Sequence, residues 1–197
     1  MSKIVRKDLQ ILIDEKLGQL FLGDKKKDIR LLMLRPIDLI EFSEFAGTNA
    51  EDIIIWVGKS IGKSYIDKFF SDKDWKKETM TTKVEIIIVI LEALELMGFG
   101  HLIPIFKKKY VSIEIEEPLA LDEYNNIMAK NLCLLNQGIF SGIFDALEID
   151  VDGKEIECVL LDDDKCVFKY DLLYDEIDEG LIKKEEEKVY SFSLRDL

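Results

Sequence analysis

The chain has 197 residues, of which 48% are hydrophobic and 34% charged, and a formal net charge of −13. That length suits one domain with a sizeable core, and that composition excludes global disorder. The acidic balance excludes direct nucleic-acid binding, because neutralising phosphates needs a basic surface.

The three cysteines and the charged opening of the chain, which is no apolar leader, predict a cytoplasmic protein with reduced thiols. The longest apolar runs, residues 53–57 and 86–91, are too short to span a bilayer. Abundant Lys, Glu and Ile with three Gln is a bias of the kind seen in thermophiles.

In chain order, residues 7–22 carry Leu9, Leu12, Ile13, Leu17 and Leu20 at helical spacing, which predicts a helix ended by Gly23. Residues 23–28, with Lys25, Lys26 and Lys27, read as a polar, solvated connector, and residues 30–34 as a short strand. Pro36 suits the first turn of a helix, where its missing N–H costs nothing, and Gly47 closes that helix. Thr48 and Glu51 form a capping-box pattern for a helix running to Phe70, with Gly58 and Gly62 four apart on one face. Trp56, inside this apolar helix, is expected to be buried, whereas Trp75, in a charged turn, is expected to be exposed. Thr82 and Glu85 repeat the box for a helix ending near Met97, stopped by Gly98 and Gly100.

The period then changes. Residues 102–106 and 110–115 read as strands, the second alternating Val111, Ile113 and Ile115 with Ser112, Glu114 and Glu116. Residues 131–147 are helical, with Leu135, Ile139, Ile143 and Leu147 on one stripe and a second glycine pair at Gly138 and Gly142. Residues 154–161 and 165–173 read as two further strands joined at Asp162, Asp163 and Asp164, and the remainder is an acidic extension. Helices first and antiparallel strands later predict an α+β class, with N-terminal helices packed on a small antiparallel sheet. The expected organisation is an N-terminal helix and connector over 1–29, a binding domain over 30–173 and the extension over 174–197.

The chemistry concentrates in the last hairpin. Cys158 and Cys166 each lie four residues from Asp162, so a hairpin turning there sets them opposite one another. Facing strand residues stand about 4.5–5.5 Å apart, a spacing that suits two thiolates sharing one ion. Cys133 lies at the start of the 131–147 helix, where partial positive charge favours a thiolate. A closed tetrahedral site needs a fourth ligand, which Glu155 or Glu157 could supply; Glu155, three residues from Cys158, needs a bulge to reach the same ion. The competing reading is that buried cysteines behave as small hydrophobes.

Cys133, Gly138, Gly142, Glu155, Cys158 and Cys166 resemble the C-terminal signature of the 4-vinyl reductase domain, in which a Gly-x-x-x-Gly helix leads into a Glu-x-x-Cys-x7-Cys hairpin. The same domain serves as the sensor of phenol-responsive transcription activators, and the resemblance extends loosely over residues 35–170. It implies a ligand-binding fold shared with vesicle-tethering subunits, a homodimer, and a structural zinc held by Cys133, Glu155, Cys158 and Cys166. It also implies a hydrophobic small molecule bound nearby. The activators' later ATPase and DNA-binding modules have no counterpart here. A tetrapyrrole vinyl-reducing activity, from which the family takes its name, would need a hydride-cofactor site, and no Gly-x-Gly-x-x-Gly follows a strand.

Phe99, His101, Ile103, Phe140 and Phe144 are the candidate cavity residues, although apolar residues at such spacing are more often plain core. His101, the only histidine, follows Gly100 and either faces that cavity or caps the junction. Gly62 to Ser64 spell Gly-Lys-Ser without the preceding glycine or strand of a phosphate loop. The expected function is therefore a zinc-stabilised binding module for a hydrophobic small molecule rather than an enzyme.

Overall fold

The computed structural model describes residues 10–23 and 28–178. Lys25, Lys26 and Lys27 and all but the first residues of the acidic extension lie outside them.

The first predicted helix is instead a hairpin. Gln10–Asp14 (β1) and Gln19–Gly23 (β2) pair antiparallel, and Asp28–Leu31 (β3) adds a third strand in the order β1-β2-β3. Turn chemistry overrides the 3.6-residue spacing: Asp14 Oδ1 accepts the N–H groups of Lys16 and Leu17, each at 3.0 Å, and Gly18 takes φ +61°. Leu22, at the far end of β2, is fully buried, whereas Ile13 and Leu17 stay exposed.

Pro36–Phe45 (α1) begins where Pro36 predicts. Its start is closed by a contact the sequence reading missed, the Arg35 N–H donating to Asp38 Oδ2 at 2.8 Å. The Arg35 guanidinium beside Asp38 also holds that carboxyl below the usual carboxylate range. Ala50–Phe69 (α2) is led in by a 3₁₀ turn over Gly47–Asn49, and no side chain caps it, so the Thr48–Glu51 box is not formed. Met80–Leu96 (α3) starts earlier than the Thr82–Glu85 box predicts: Thr79 is the cap, its Oγ1 accepting the Thr82 N–H at 3.3 Å.

The second sheet is built from His101–Lys107 (β4), Tyr110–Glu116 (β5), Val151–Glu157 (β6) and Cys166–Leu172 (β7), all antiparallel, in the order β4-β5-β7-β6. Lys130–Ala146 (α4) connects its two halves. The described residues thus form an α+β structure with four α-helices and two antiparallel sheets. None of those helices is long and apolar enough to cross a membrane.

Helix α4 presents two working stripes. One carries Gly138 and Gly142 into Gly58 and Gly62 of α2. A Cβ built at Gly62 would stand 2.1 Å from the Ile139 carbonyl oxygen, and one at Gly142 would stand 2.2 Å from that of Lys59. Only glycine lets two backbones approach so closely. The other stripe lies on the sheet. Phe140 meets Phe168 edge-to-face at 5.3 Å, Phe144 lies 4.8 Å from Tyr170, and the Tyr170 hydroxyl donates to the Gln137 carbonyl at 3.3 Å. Gly153, opposite Tyr170, leaves room for that ring. Past the C-terminus of α4, the buried Lys83 of α3 donates to the Glu148 carbonyl at 2.9 Å and fastens the chain where Glu148 turns through φ 54°.

Both tryptophan expectations are reversed. Trp56 lies on the side of α2 away from Gly58 and Gly62 and is 68% exposed, because α4 covers the glycine face instead. Trp75 is 9% exposed and packs edge-on against Phe70 at 6.1 Å. Of the charges of its turn, the Lys73 ammonium lies 5.8 Å over the Trp75 ring, and Lys77 pairs with Asp74 at the surface.

Substituting Gly62→Ala tests the helix contact. Alanine favours an unhindered helix by about 1 kcal/mol, but here its methyl meets backbone. We expect a net loss of roughly 1–3 kcal/mol in denaturant unfolding; a gain would show that α2 and α4 are not in contact.

Candidate metal centre

Alternation along a strand puts residues 155 and 158 on opposite faces. The structure removes that obstacle with a bulge: Glu155 pairs with Phe168 but Glu157 with Val167, so two residues of β6 oppose one of β7. The shift returns Glu155 to the face of Cys158 and leaves Glu157 outside the cluster. Strand β6 then ends, and Cys158 leads a 3₁₀ turn over Val159–Leu161 in place of the longer strand predicted. Asp162 closes the turn with φ 68°, the left-handed conformation that Asp tolerates better than most residues. Cys166 opens β7 beneath the first turns of α4, where Cys133 projects from the sheet-facing stripe.

The four predicted ligands converge. One donor atom from each of Cys133, Glu155, Cys158 and Cys166 lies within 4.8 Å of all the others. The Cys133 Sγ is 3.7 Å from that of Cys158 and 4.0 Å from that of Cys166. Tetrahedral geometry with metal–sulfur bonds of about 2.3 Å sets sulfurs about 3.8 Å apart, so the spacing is already that of ligands around one ion. All three thiols are free and buried. Glu155 Oε1 is buried with no hydrogen-bond partner among the described residues. Such an orphaned oxygen is costly, and a cation among the sulfurs removes the cost. These residues could hold a metal ion.

Electrostatics without an ion point the same way. The hydrogen bond with Cys166 and burial hold the Cys133 thiol far above its usual range. Burial pushes Cys158 up to about 12, against a backbone N–H bond from Leu160 that favours its thiolate. Burial also raises the Glu155 carboxyl, opposed by the three thiols. Four potential anions in one buried volume repel one another; a divalent cation reverses the sign of that interaction and displaces the protons.

The surrounding bonds fix the cysteine loop. The Cys158 N–H donates to Asp163 Oδ2 at 2.7 Å, and the Tyr124 hydroxyl donates to Asp162 Oδ1 at 2.8 Å. Sequence reading missed both carboxylates as supports, seeing in Asp162 and Asp163 only a turn.

The candidate cavity residues fall into two sets. Phe140 and Phe144 are fully buried against β7, and Phe99 and Ile103 are partly buried beside α3 and in β4. His101 is largely exposed at the start of β4, and its Nδ1 lies 2.6 Å from Glu95 Oε1, which also accepts the Leu102 N–H at 2.8 Å. That shared carboxylate pins β4 to the last turn of α3.

No family model matches the sequence, and no curated protein matches it. Solved structures do resemble it. The phenol-responsive sensory domain of the transcription activator PoxR, determined with phenol, superposes with a TM-score of 0.63 at 14% identity, covering 95% of this chain and 94% of that one. A trafficking protein particle complex subunit 3 from Naegleria fowleri, covalently bound to palmitic acid, gives 0.46 at 15% identity over 72% of this chain and 99% of its own. An H-NOX protein from S. oneidensis gives 0.48 at 14% identity, over 70% and 71%. The first of these likenesses shows that the chain shares its fold with that PoxR domain.

Asp163→Ala tests the support of the cluster. Loss of the Cys158 N–H acceptor is expected to weaken metal affinity about 10–100-fold, read by competition with a chromophoric chelator. Unchanged affinity would show that the loop is positioned by the turn alone.

Proposed function

We propose that the chain is a zinc-stabilised binding module for a hydrophobic small molecule, sensory or regulatory in role, of the 4-vinyl reductase type and built as a homodimer. The observation that carries the reading is the cluster itself, three thiols at metal-ligand spacing around a buried carboxylate oxygen without a partner. Three sulfurs and one carboxylate suit zinc among common ions, since magnesium and calcium require oxygen ligands. With four protein ligands, no coordination position remains for activating water, so the ion ties α4 to the β6–β7 hairpin and does not catalyse. The likeness to a domain solved with phenol supports a ligand site in the same fold.

The binding unit comprises residues 30–173. The ligand enters between the helices and the larger sheet, among Phe99, Ile103, Phe140 and Phe144, with His101 at the rim. Because Phe140 and Phe144 are sealed, occupancy requires α4 to shift on the sheet. The metal-tied end resists that shift and the opposite end yields, which is how binding would become a signal.

One observation also favours an interaction scaffold. Leu32, Met33, Phe42, Phe45 and Trp56 are 65–92% exposed, more apolar surface than a solitary module needs. The two readings are compatible if that surface joins the copies of the dimer.

Elemental analysis and native mass spectrometry of the purified chain test the proposal. The expected result is one zinc per chain, a dimeric mass, and a lower melting temperature after chelation. Protein without zinc that melts identically with and without chelator would reduce the cysteines to core residues.

A further inference from the structure

We infer that the cysteine cluster is an oxidation-sensitive clasp, in which hydrogen peroxide joins Cys133 to Cys158 as a disulfide and expels the metal. The inference rests on the metal reading above for the expulsion, but the choice of cysteine pair rests on geometry alone.

Three features select the pair. Cys133 is nearer to Cys158, at 3.7 Å, than to Cys166, at 4.0 Å. Cys158 is also the most accessible thiol, 7% exposed against 3% for Cys133 and none for Cys166. It stands outside regular structure, after β6 and before the 3₁₀ turn, whereas Cys166 opens β7 and is held there by pairing with Ile115 of β5. To form a disulfide the sulfurs must close from 3.7 Å to about 2.05 Å, a movement short enough to be shared by the two side chains while α4 stays held by its glycine contact with α2.

The chemistry balances. The Cys158 thiolate attacks one peroxide oxygen, the O–O bond breaks, and a proton from solvent lets the departing hydroxide leave as water, giving the sulfenic acid. The Cys133 thiolate then attacks that sulfur; the S–S bond forms and the S–O bond breaks, and the second hydroxide leaves as water with another solvent proton. Two sulfurs are oxidised by one electron each and the peroxide is reduced to two waters. A disulfide no longer donates charge to the ion, and Cys166 with Glu155 supplies only half of a tetrahedral set. The ion is released, and the hairpin becomes tied to α4 covalently, through the loop rather than through β7.

Titration of the native chain with hydrogen peroxide tests this, with released zinc read by a chromophoric chelator and the chain by intact mass and peptide mapping. The expected result is release of zinc in step with a 2 Da mass loss, a linked peptide pair containing Cys133 and Cys158, and recovery on reduction by dithiothreitol. Cys166→Ser should still give the 2 Da loss and the same linkage. A Cys133–Cys166 linkage, a gain of oxygen without a linkage, or zinc release with no disulfide would overturn the inference and leave the metal site standing. A Cys133–Cys158 linkage in a chain that never held zinc would keep the pairing and remove the metal reading instead.

Discussion

Helix α4 is held from both sides, and most of the structure follows from that constraint. On one side its glycines meet those of α2 so closely that no side chain could intervene. On the other, Cys133, Phe140 and Phe144 reach the larger sheet along one stripe. The glycine contact seats α4 on α2, and the sheet-facing stripe brings Cys133 within 3.7 and 4.0 Å of the two cysteines of the hairpin.

The aromatic stripe and the cluster contribute in different ways. Burying each large aromatic is worth roughly 1.5–3 kcal/mol without directional preference, so Phe140 and Phe144 drive the packing of α4 but do not fix its register. The cluster is directional. Tetrahedral coordination admits one arrangement of four donors, and the orphaned Glu155 oxygen marks where the arrangement is incomplete without a cation. Packing therefore forms the domain, and coordination of an ion would specify how its last hairpin meets the helix.

Much of this was legible in the residues. The two glycine pairs announced a close helix contact, although the sequence could not say that they meet each other. Cys133, Glu155, Cys158 and Cys166 were legible as a set because their spacing matched a family signature; spacing alone left Glu155 and Glu157 open, since the deciding bulge is a register shift with no marker of its own. The N-terminal hairpin was misread because five apolar residues at helical spacing outweighed Asp14 and Gly18, which fix the turn. The tryptophans were misread for a related reason. Burial depends on which helix face a partner covers, and for α2 that partner is α4, some 80 residues further along the chain.

The central claim is that one ion joins helix to hairpin through three sulfurs and one oxygen. X-ray absorption at the zinc edge of the protein as purified measures this directly. The account predicts a shell of three sulfurs at about 2.3 Å with one light-atom ligand at about 2.0–2.2 Å. A shell dominated by nitrogen or oxygen, or two sulfurs in place of three, would contradict it, because at least one of the three cysteines would then not be a ligand.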